Sequence, residues 1–206
     1  LGATAFDGMY GFDPSSMTWE VIDTGGQDLK NATRTRVTVE LGPRGDAVVS
    51  FDRAYFGINA SGFVKAYEEM TPEEKRRRFE EIVTSVSRSA VAVGPHEVST
   101  GDYPPHEAYK LSIPGYASVD GGLMTFFMPA LARGLPFVSP GSRSNPVGMA
   151  SSSRSMVRVE VLLPLETLDV VSMPGGTHEA GVGGVVSVRV DAALRNDPRG
   201  KAVVVE

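Results

Sequence analysis

The chain has 206 residues, 41% of them hydrophobic and 22% charged, a composition that predicts a globular protein with one large domain or two small ones. Its formal net charge of −5 argues against nucleic-acid binding, and no uncharged apolar run approaches the roughly 20 residues that a membrane-spanning helix needs. The chain contains no Cys, which excludes disulfides, thiolate metal sites and a Cys nucleophile.

The N-terminal segment, residues 1–30, is predicted to form an extension with one edge strand near residues 17–23. It lacks the basic patch and apolar stretch of a signal peptide. Because the chain begins at Leu1 and closes on consecutive Val residues, we expect it to be a fragment of a longer protein.

A β-hairpin is predicted at residues 34–56. Apolar and polar residues alternate over 34–41, a period of two that is typical of a half-buried strand. Turn-forming residues occupy 42–46, and 47–56 is again rich in Val and aromatic residues. Two such strands joined by a short Gly-containing loop form a hairpin.

The period changes after Gly57, and two consecutive helices are predicted at 61–70 and 72–89. Apolar residues between 63 and 70 follow the spacing of one helix face. Thr71-Pro72-Glu73-Glu74 is a helix start, because Thr71 can cap the helix, Pro72 needs no N–H there, and Glu74 completes a capping box.

Strand periodicity then returns at 109–113, 123–128, 157–163 and 186–190, and the apolar run 123–128 is expected to be buried on both faces. These segments predict a mainly β protein, an antiparallel β-sandwich with one inserted α-helical pair at about 61–89. We expect residues 31–145 to form the sandwich with its helical insertion. Residues 146–206 are expected to add C-terminal strands to the same structural unit, after a polar loop at 139–155.

The residues with catalytic or metal-binding chemistry form no recognisable constellation. His96, His106 and His178 are far apart in the sequence and are predicted to be surface residues rather than metal ligands. Asp102 and His106 are close, but the two Pro residues between them predict an extended loop, and no third group is identifiable.

Serine-hydrolase and phosphate-binding patterns are also incomplete. Ser142 lies in Gly-Ser-Arg-Ser and lacks the second Gly of a nucleophile elbow. The Gly residues at 175–176 and 181–184 flank a Val-rich strand rather than open a helix, so they predict hairpin turns. The Glu pairs at 68–69, 73–74 and 80–81 are expected on solvated helix faces. We therefore predict no catalytic residue and no residue that binds a cofactor or a metal ion.

Four short motifs have both a functional and a plain structural interpretation. The adhesive tripeptide Arg44-Gly45-Asp46 is expected at an accessible hairpin tip, although Gly-Asp is also good turn chemistry. Asn31 and Asn59 each begin a glycosylation sequon. The basic run 75–78 is interleaved with Glu residues and is expected to be a solvated helix face.

Several aromatic residues could form a platform for sugars, although core packing is the favoured interpretation. They are Tyr10, Phe12, Trp19, Tyr103, Tyr109 and Tyr116.

The order of features resembles a known family. The features are Gly45 to Val49, then Tyr55-Phe56-Gly57 with Ala60, a helix pair, a long β-region, Arg143 with Pro146, Leu163-Pro164, and Val170-Val171-Ser172-Met173-Pro174. This order is similar to that of the C-terminal β-rich domain of bacterial transglutaminase-like multidomain proteins, which carry domains of unknown function on both sides of the transglutaminase-like core. The resemblance covers approximately residues 31–190.

The resemblance implies a periplasmic or cell-surface setting and a partner in the transglutaminase-like core of the same polypeptide. That core works through Cys, His and Asp, and a chain without Cys cannot hold its nucleophile. We therefore expect a non-catalytic accessory module that contacts the core. An envelope protein or a glycan is a further candidate partner. The alternative is a carbohydrate-binding β-sandwich that uses residues such as Trp19 and Tyr103, with calcium held by loop carboxylates such as Asp102 and Asp120.

Overall fold

A computed structural model describes residues 10–21, 31–127, 154–167, 169–172, 191–198 and 200–205. Its elements within these ranges are β1 (Tyr10–Asp13), β2 (Thr18–Val21), β3 (Ala32–Leu41), β4 (Ala47–Tyr55), α1 (Ile58–Glu69), α2 (Pro72–Val86), β5 (Val91–Ala92), β6 (Glu97–Ser99), β7 (His106–Ile113), β8 (Ala117–Asp120), β9 (Leu123–Phe126), β10 (Arg154–Leu162), β11 (Ala192–Asp197) and β12 (Gly200–Val205).

Eight of these strands form one sheet, in the order β11-β12-β10-β3-β4-β7-β5, with β6 also paired to β7. Neighbouring strands are antiparallel except for β3 and β10, which run parallel and place Val159 beside Val37. The alternation in the sequence predicts an antiparallel sheet and does not reveal this parallel pair. A parallel connection needs a long crossover, and more than a hundred residues separate β3 from β10.

One face of the sheet carries the core. Val39, Val49, Leu111 and Val161 are fully buried on this face, while the alternate residues of β3 and β7 are half-buried or, like Lys110, exposed. The layer over this face contains α2 and the β8–β9 hairpin, whose apolar residues pack against it: Phe79, Ile82, Val83, Val86, Ala117, Met124 and Phe126. The predicted mainly β fold with one inserted helical pair is confirmed.

The helix boundaries follow from local hydrogen bonds. At the start of α2, the Thr71 hydroxyl accepts a hydrogen bond from the Glu74 backbone N–H at 3.3 Å, and the Glu74 carboxylate accepts one from the Thr71 N–H at 2.8 Å. This is the predicted capping box. Helix α1 begins at Ile58, three residues before the predicted start, because the side-chain oxygen of Asn31 accepts a hydrogen bond from the Ile58 N–H at 3.0 Å.

The structure contains strands at or within the predicted segments 34–41, 47–56, 109–113 and 157–163, and it also contains β1, β5, β6, β8 and β11, which the alternation does not predict. Two predictions differ from the structure. The segment at 123–126 is a strand, but Leu123 is exposed rather than buried on both faces, because β9 pairs with β8 in a separate two-stranded sheet. Strand β10 begins at Arg154, inside the loop predicted at 139–155. The rest of that loop and the strand predicted at 186–190 lie outside the described residues.

Candidate interaction surface and the buried Glu107 cluster

The β1–β2 hairpin presents an apolar surface to solvent. It forms a two-stranded sheet of its own, in which Tyr10 is opposite Val21 and Phe12 is opposite Trp19. Since side chains alternate between the faces of a strand, these four residues share one face, which we call the aromatic face. All four are exposed, Tyr10 by 72% and Trp19 by 69%.

The turn that joins β1 to β2 is held by a carboxylate. Asp13 accepts hydrogen bonds from the Ser15 backbone N–H at 2.8 Å, the Ser15 hydroxyl at 2.6 Å and the Ser16 hydroxyl at 2.9 Å. The bonds from Ser15, with that from Ser16, lower the pKa of Asp13. The face opposite the aromatic face carries Asp13, Thr18 and Glu20, so the hairpin is polar on one side and apolar on the other.

The six aromatic residues considered as a sugar platform do not come together. Tyr109 is buried and stacks on Phe51 at a centroid distance of 4.8 Å, as the core-packing interpretation predicts. Tyr116 packs at the edge of the core, and burial raises its pKa to about 12. Tyr103 is exposed, and its hydroxyl accepts a hydrogen bond from the Gly57 N–H at 3.3 Å. The core-packing interpretation is wrong for Tyr10, Phe12 and Trp19, which are exposed because their strands pair only with each other.

A second polar feature lies inside the molecule, around Glu107 on β7. This side chain is only 1% exposed. Its carboxylate accepts a hydrogen bond from the Tyr55 hydroxyl at 2.5 Å and lies 3.4 Å from Nε2 of His96. The guanidinium groups of Arg53 and Arg78 lie 3.6 Å and 3.5 Å from it. We call these five residues the Glu107 cluster.

The protonation of the cluster follows from its contacts. Burial raises the pKa of Glu107, but the hydrogen bonds from His96 and Tyr55 and the charges of Arg78 and Arg53 outweigh burial, so the net shift is downward. Burial and the adjacent carboxylate raise the pKa of the Tyr55 hydroxyl, which therefore stays protonated and donates a hydrogen bond to Glu107. The cluster thus contains one carboxylate held between two guanidinium groups.

The sequence prediction that His96 is a surface residue is wrong. Its side chain is 10% exposed, and its ring stacks on Phe79 of α2 at a centroid distance of 4.5 Å. It is largely enclosed because β6 pairs with β7 through Val98 and Glu107, which places His96 beside Phe79 of α2. His106 is half-buried at the start of β7, and His178 lies outside the described residues.

The basic run 75–78 is only partly a solvated helix face. Arg76 pairs with Glu73 and, at 2.8 Å, with Glu80, and all three side chains are exposed, as predicted. Arg78 instead reaches inward to Glu107, because it lies on the side of α2 that faces the sheet.

The Arg44-Gly45-Asp46 tip is exposed at Arg44 and Asp46, as predicted, but buried at Gly45. Gly45 is buried, its carbonyl accepts a hydrogen bond from the Ala117 N–H at 2.8 Å, and the Asp46 carboxylate accepts one from the Gly115 N–H at 3.0 Å. The start of β8 therefore packs over Gly45, which has a structural role in the turn.

The remaining candidates have local partners or lie outside the described residues. Asp102 accepts a hydrogen bond from the Ser99 hydroxyl at 3.1 Å, and Asn59 donates one to Thr33 at 3.4 Å. Asp120 is exposed at the end of β8. Ser142 and the Gly residues at 175–176 and 181–184 lie outside the described residues.

Within the described ranges, no group of three His, Asp or Glu side chains is placed to hold a metal ion. In the same part of the chain, neither helix has both the length and the apolar composition required to cross a bilayer. No protein-family model matches this sequence, and comparisons with curated proteins and with solved structures return no match. The resemblance to the transglutaminase-associated domain therefore stays a prediction.

Proposed function

We propose that this chain is a non-catalytic accessory module that binds a protein partner through the aromatic face of the β1–β2 hairpin. The observation that carries the proposal is the exposure of Tyr10, Phe12, Trp19 and Val21 on one side of a hairpin. A two-stranded hairpin is at best marginally stable alone in water. Large contiguous apolar patches on soluble proteins mark interaction sites, and Trp and Tyr are the residues most enriched in binding hot spots.

The chemistry of the aromatic face favours a protein over a carbohydrate. Sugar recognition combines a ring that stacks on the sugar with polar groups that bind its hydroxyls. Here the rings of Phe12 and Trp19 are inclined at 59° to each other, so they offer no common plane. The carboxylates and hydroxyls of the hairpin lie on its opposite face. The hydrogen-bonding groups of the aromatic face are limited to the Tyr10 hydroxyl and the Trp19 indole N–H, which fits the apolar core of a protein interface.

The partner that we propose is the transglutaminase-like core of the same polypeptide, in the periplasm or at the cell surface. This assignment rests on the order of sequence features described above. Two structural observations are compatible with an accessory role. Glu107, the most buried carboxylate of the described part, is enclosed by its four partners and has no open side for a substrate. The central Gly45 of the tripeptide at 44–46 is held against β8 by the hydrogen bond from the Ala117 N–H.

Trp19 provides a direct test, since it is the only Trp in the chain. Labelling with fluorotryptophan gives a single fluorine NMR resonance that reports on the aromatic face. We expect this resonance to shift and saturate when the separately expressed core segment of the parent polypeptide is added. Truncating an anchor residue at the centre of an interface costs about 2 kcal/mol or more, so Trp19→Ala should weaken binding about 30-fold by calorimetry.

Thr18→Ala is the matched control, because Thr18 lies next to Trp19 on the opposite face of the hairpin. It should leave the affinity unchanged. A parent polypeptide without a Cys/His/Asp core would refute the proposed association, as would binding that is insensitive to Trp19→Ala. A saturable shift with a polysaccharide, lost in Tyr10→Ala, would instead favour the carbohydrate-binding alternative.

A further inference from the structure

A groove runs between α1 and the adjoining ends of β3 and β4. Its volume is about 440 Å³, within the usual range for small-molecule sites. Its walls are largely apolar and include Ile58, Gly62, Phe63, Ala66 and Met70. The ring of Phe63 stacks on that of Tyr55 at a centroid distance of 4.1 Å, which gives the groove a rigid aromatic floor.

Arg78 places a positive charge at this groove. Its side chain lines the groove and is 27% exposed, and its guanidinium lies 5.7 Å from the centre of the Phe63 ring. On its other side Arg78 contacts Glu107, which it shares with Arg53. One carboxylate between two guanidinium groups leaves a net positive charge in the cluster. Tyr55 does not offset it, since the Tyr55 hydroxyl stays protonated.

We propose that this groove binds an amphiphilic carboxylate, a molecule with an unbranched apolar chain and a single anionic head. The chain would lie along Phe63, Ala66 and Met70, where its burial is favourable. The head would pair with the guanidinium of Arg78, which binds carboxylates in a fixed geometry through two N–H groups. The groove is separate from the aromatic face, so the proposal does not depend on the proposed protein partner.

Gly62 allows the groove to be blocked without disturbing the fold. A Cβ atom added at Gly62 meets no other atom within 4 Å, so the space beside it is open. Gly62 also lies inside α1, where Gly is a poor helix former and replacement favours the helix. Gly62→Leu should therefore fill the groove and keep or raise the melting temperature. A loss of binding in this variant cannot be attributed to misfolding.

The experiment compares decanoate with decanol, which has the same chain length and no charge, by calorimetry on the whole chain. We expect saturable binding of decanoate and at least tenfold weaker binding of decanol. Arg78→Gln should weaken decanoate binding at least tenfold and leave decanol binding unchanged. Arg77→Gln, one residue away on the exposed side of α2, should leave both unchanged.

Gly62→Leu should abolish decanoate binding. Trp19→Ala should have no effect on it, which separates this site from the proposed interaction surface. Non-saturable decanoate binding, equal affinities for decanoate and decanol, or full binding by Arg78→Gln or by Gly62→Leu would each overturn the proposal.

Discussion

Replacing Glu107 by Gln tests whether the buried carboxylate stabilises the fold through its charge. The amide has nearly the same shape and can still accept the hydrogen bond from Tyr55. What it loses is the attraction to Arg53 and Arg78. Removing one partner of a buried ion pair typically costs about 3–5 kcal/mol. The two Arg side chains are 40% and 27% exposed, so water solvates part of the charge that is left. We therefore expect a reduced cost of about 2–3 kcal/mol.

Urea denaturation followed by circular dichroism at pH 7 measures this cost. For a domain of this size, it corresponds to a decrease in melting temperature of about 5–10 °C. Glu80→Gln is the control, because Glu80 also pairs with an Arg but is exposed, and it should cost about 0.5 kcal/mol or less.

The pH dependence gives an independent check of the same reasoning. Since the pKa of Glu107 in the folded protein lies below its ordinary value of 4.5, the unfolded chain takes up the proton first as the pH falls. The stabilisation is therefore fully present above pH 4.5 and is lost as the pH falls through the folded-state pKa. The difference between wild type and Glu107→Gln should shrink in that range. A difference below about 0.5 kcal/mol at pH 7, or one that stays constant into acid, would refute the assignment.

Three further substitutions test the packing around the sheet. Phe79→Asp puts a charge between α2 and the sheet and should lower the free energy of unfolding, measured by urea denaturation, by about 3–4 kcal/mol. The control Arg77→Ala changes an exposed residue of α2 and should lower it by about 0.5 kcal/mol or less. Equal effects of the two substitutions would mean that α2 does not pack on the sheet. Gly45→Ala places its Cβ 2.3 Å from a carbonyl oxygen of β8 at φ +87° and should cost about 2–4 kcal/mol. Gly94 has nearly the same φ as Gly45 but open space around it, so Gly94→Ala should lower the free energy of unfolding by only about 1 kcal/mol. Similar melting temperatures for the two variants would contradict the contact of Gly45 with β8. Thr71→Ala removes the cap of α2 and should cost about 1 kcal/mol, seen as reduced helicity and a lower melting temperature; unchanged values would show that the cap is dispensable.

Period-two alternation predicts β3, β4 and β7 because each of these strands has one buried face and one more exposed face. The same alternation contains a signal for the Glu107 cluster. Tyr109, Leu111 and Ile113 mark the buried face of β7, and counting back by two reaches Glu107. Counting forward from Val49 and Phe51 on β4 reaches Arg53. A carboxylate and a guanidinium in phase with buried residues on two strands indicate a buried ion pair.

The other members of the cluster could not be predicted in this way. Arg78 is one of four consecutive basic residues on α2, and only the packing of α2 against the sheet selects it for Glu107. His96 is brought to the cluster by the pairing of β6 with β7, which a three-residue strand does not signal in the sequence. The exposure of the aromatic face could not be predicted for a different reason. Large apolar residues normally pack in a core, and their exposure becomes visible only when the strand partners are known.

The parallel pairing of β3 with β10 has a consequence for how the protein is made. During synthesis, β3, β4, both helices and β7 emerge long before β10, so the second edge of β3 leaves the ribosome without a neighbour. At a translation rate of about 5–20 residues per second, this edge of β3 stays unpaired for several seconds. Unpaired strand edges can form β-sheet pairs with other chains and cause aggregation. A nascent polypeptide halted before residue 154 should therefore need a chaperone to prevent its aggregation.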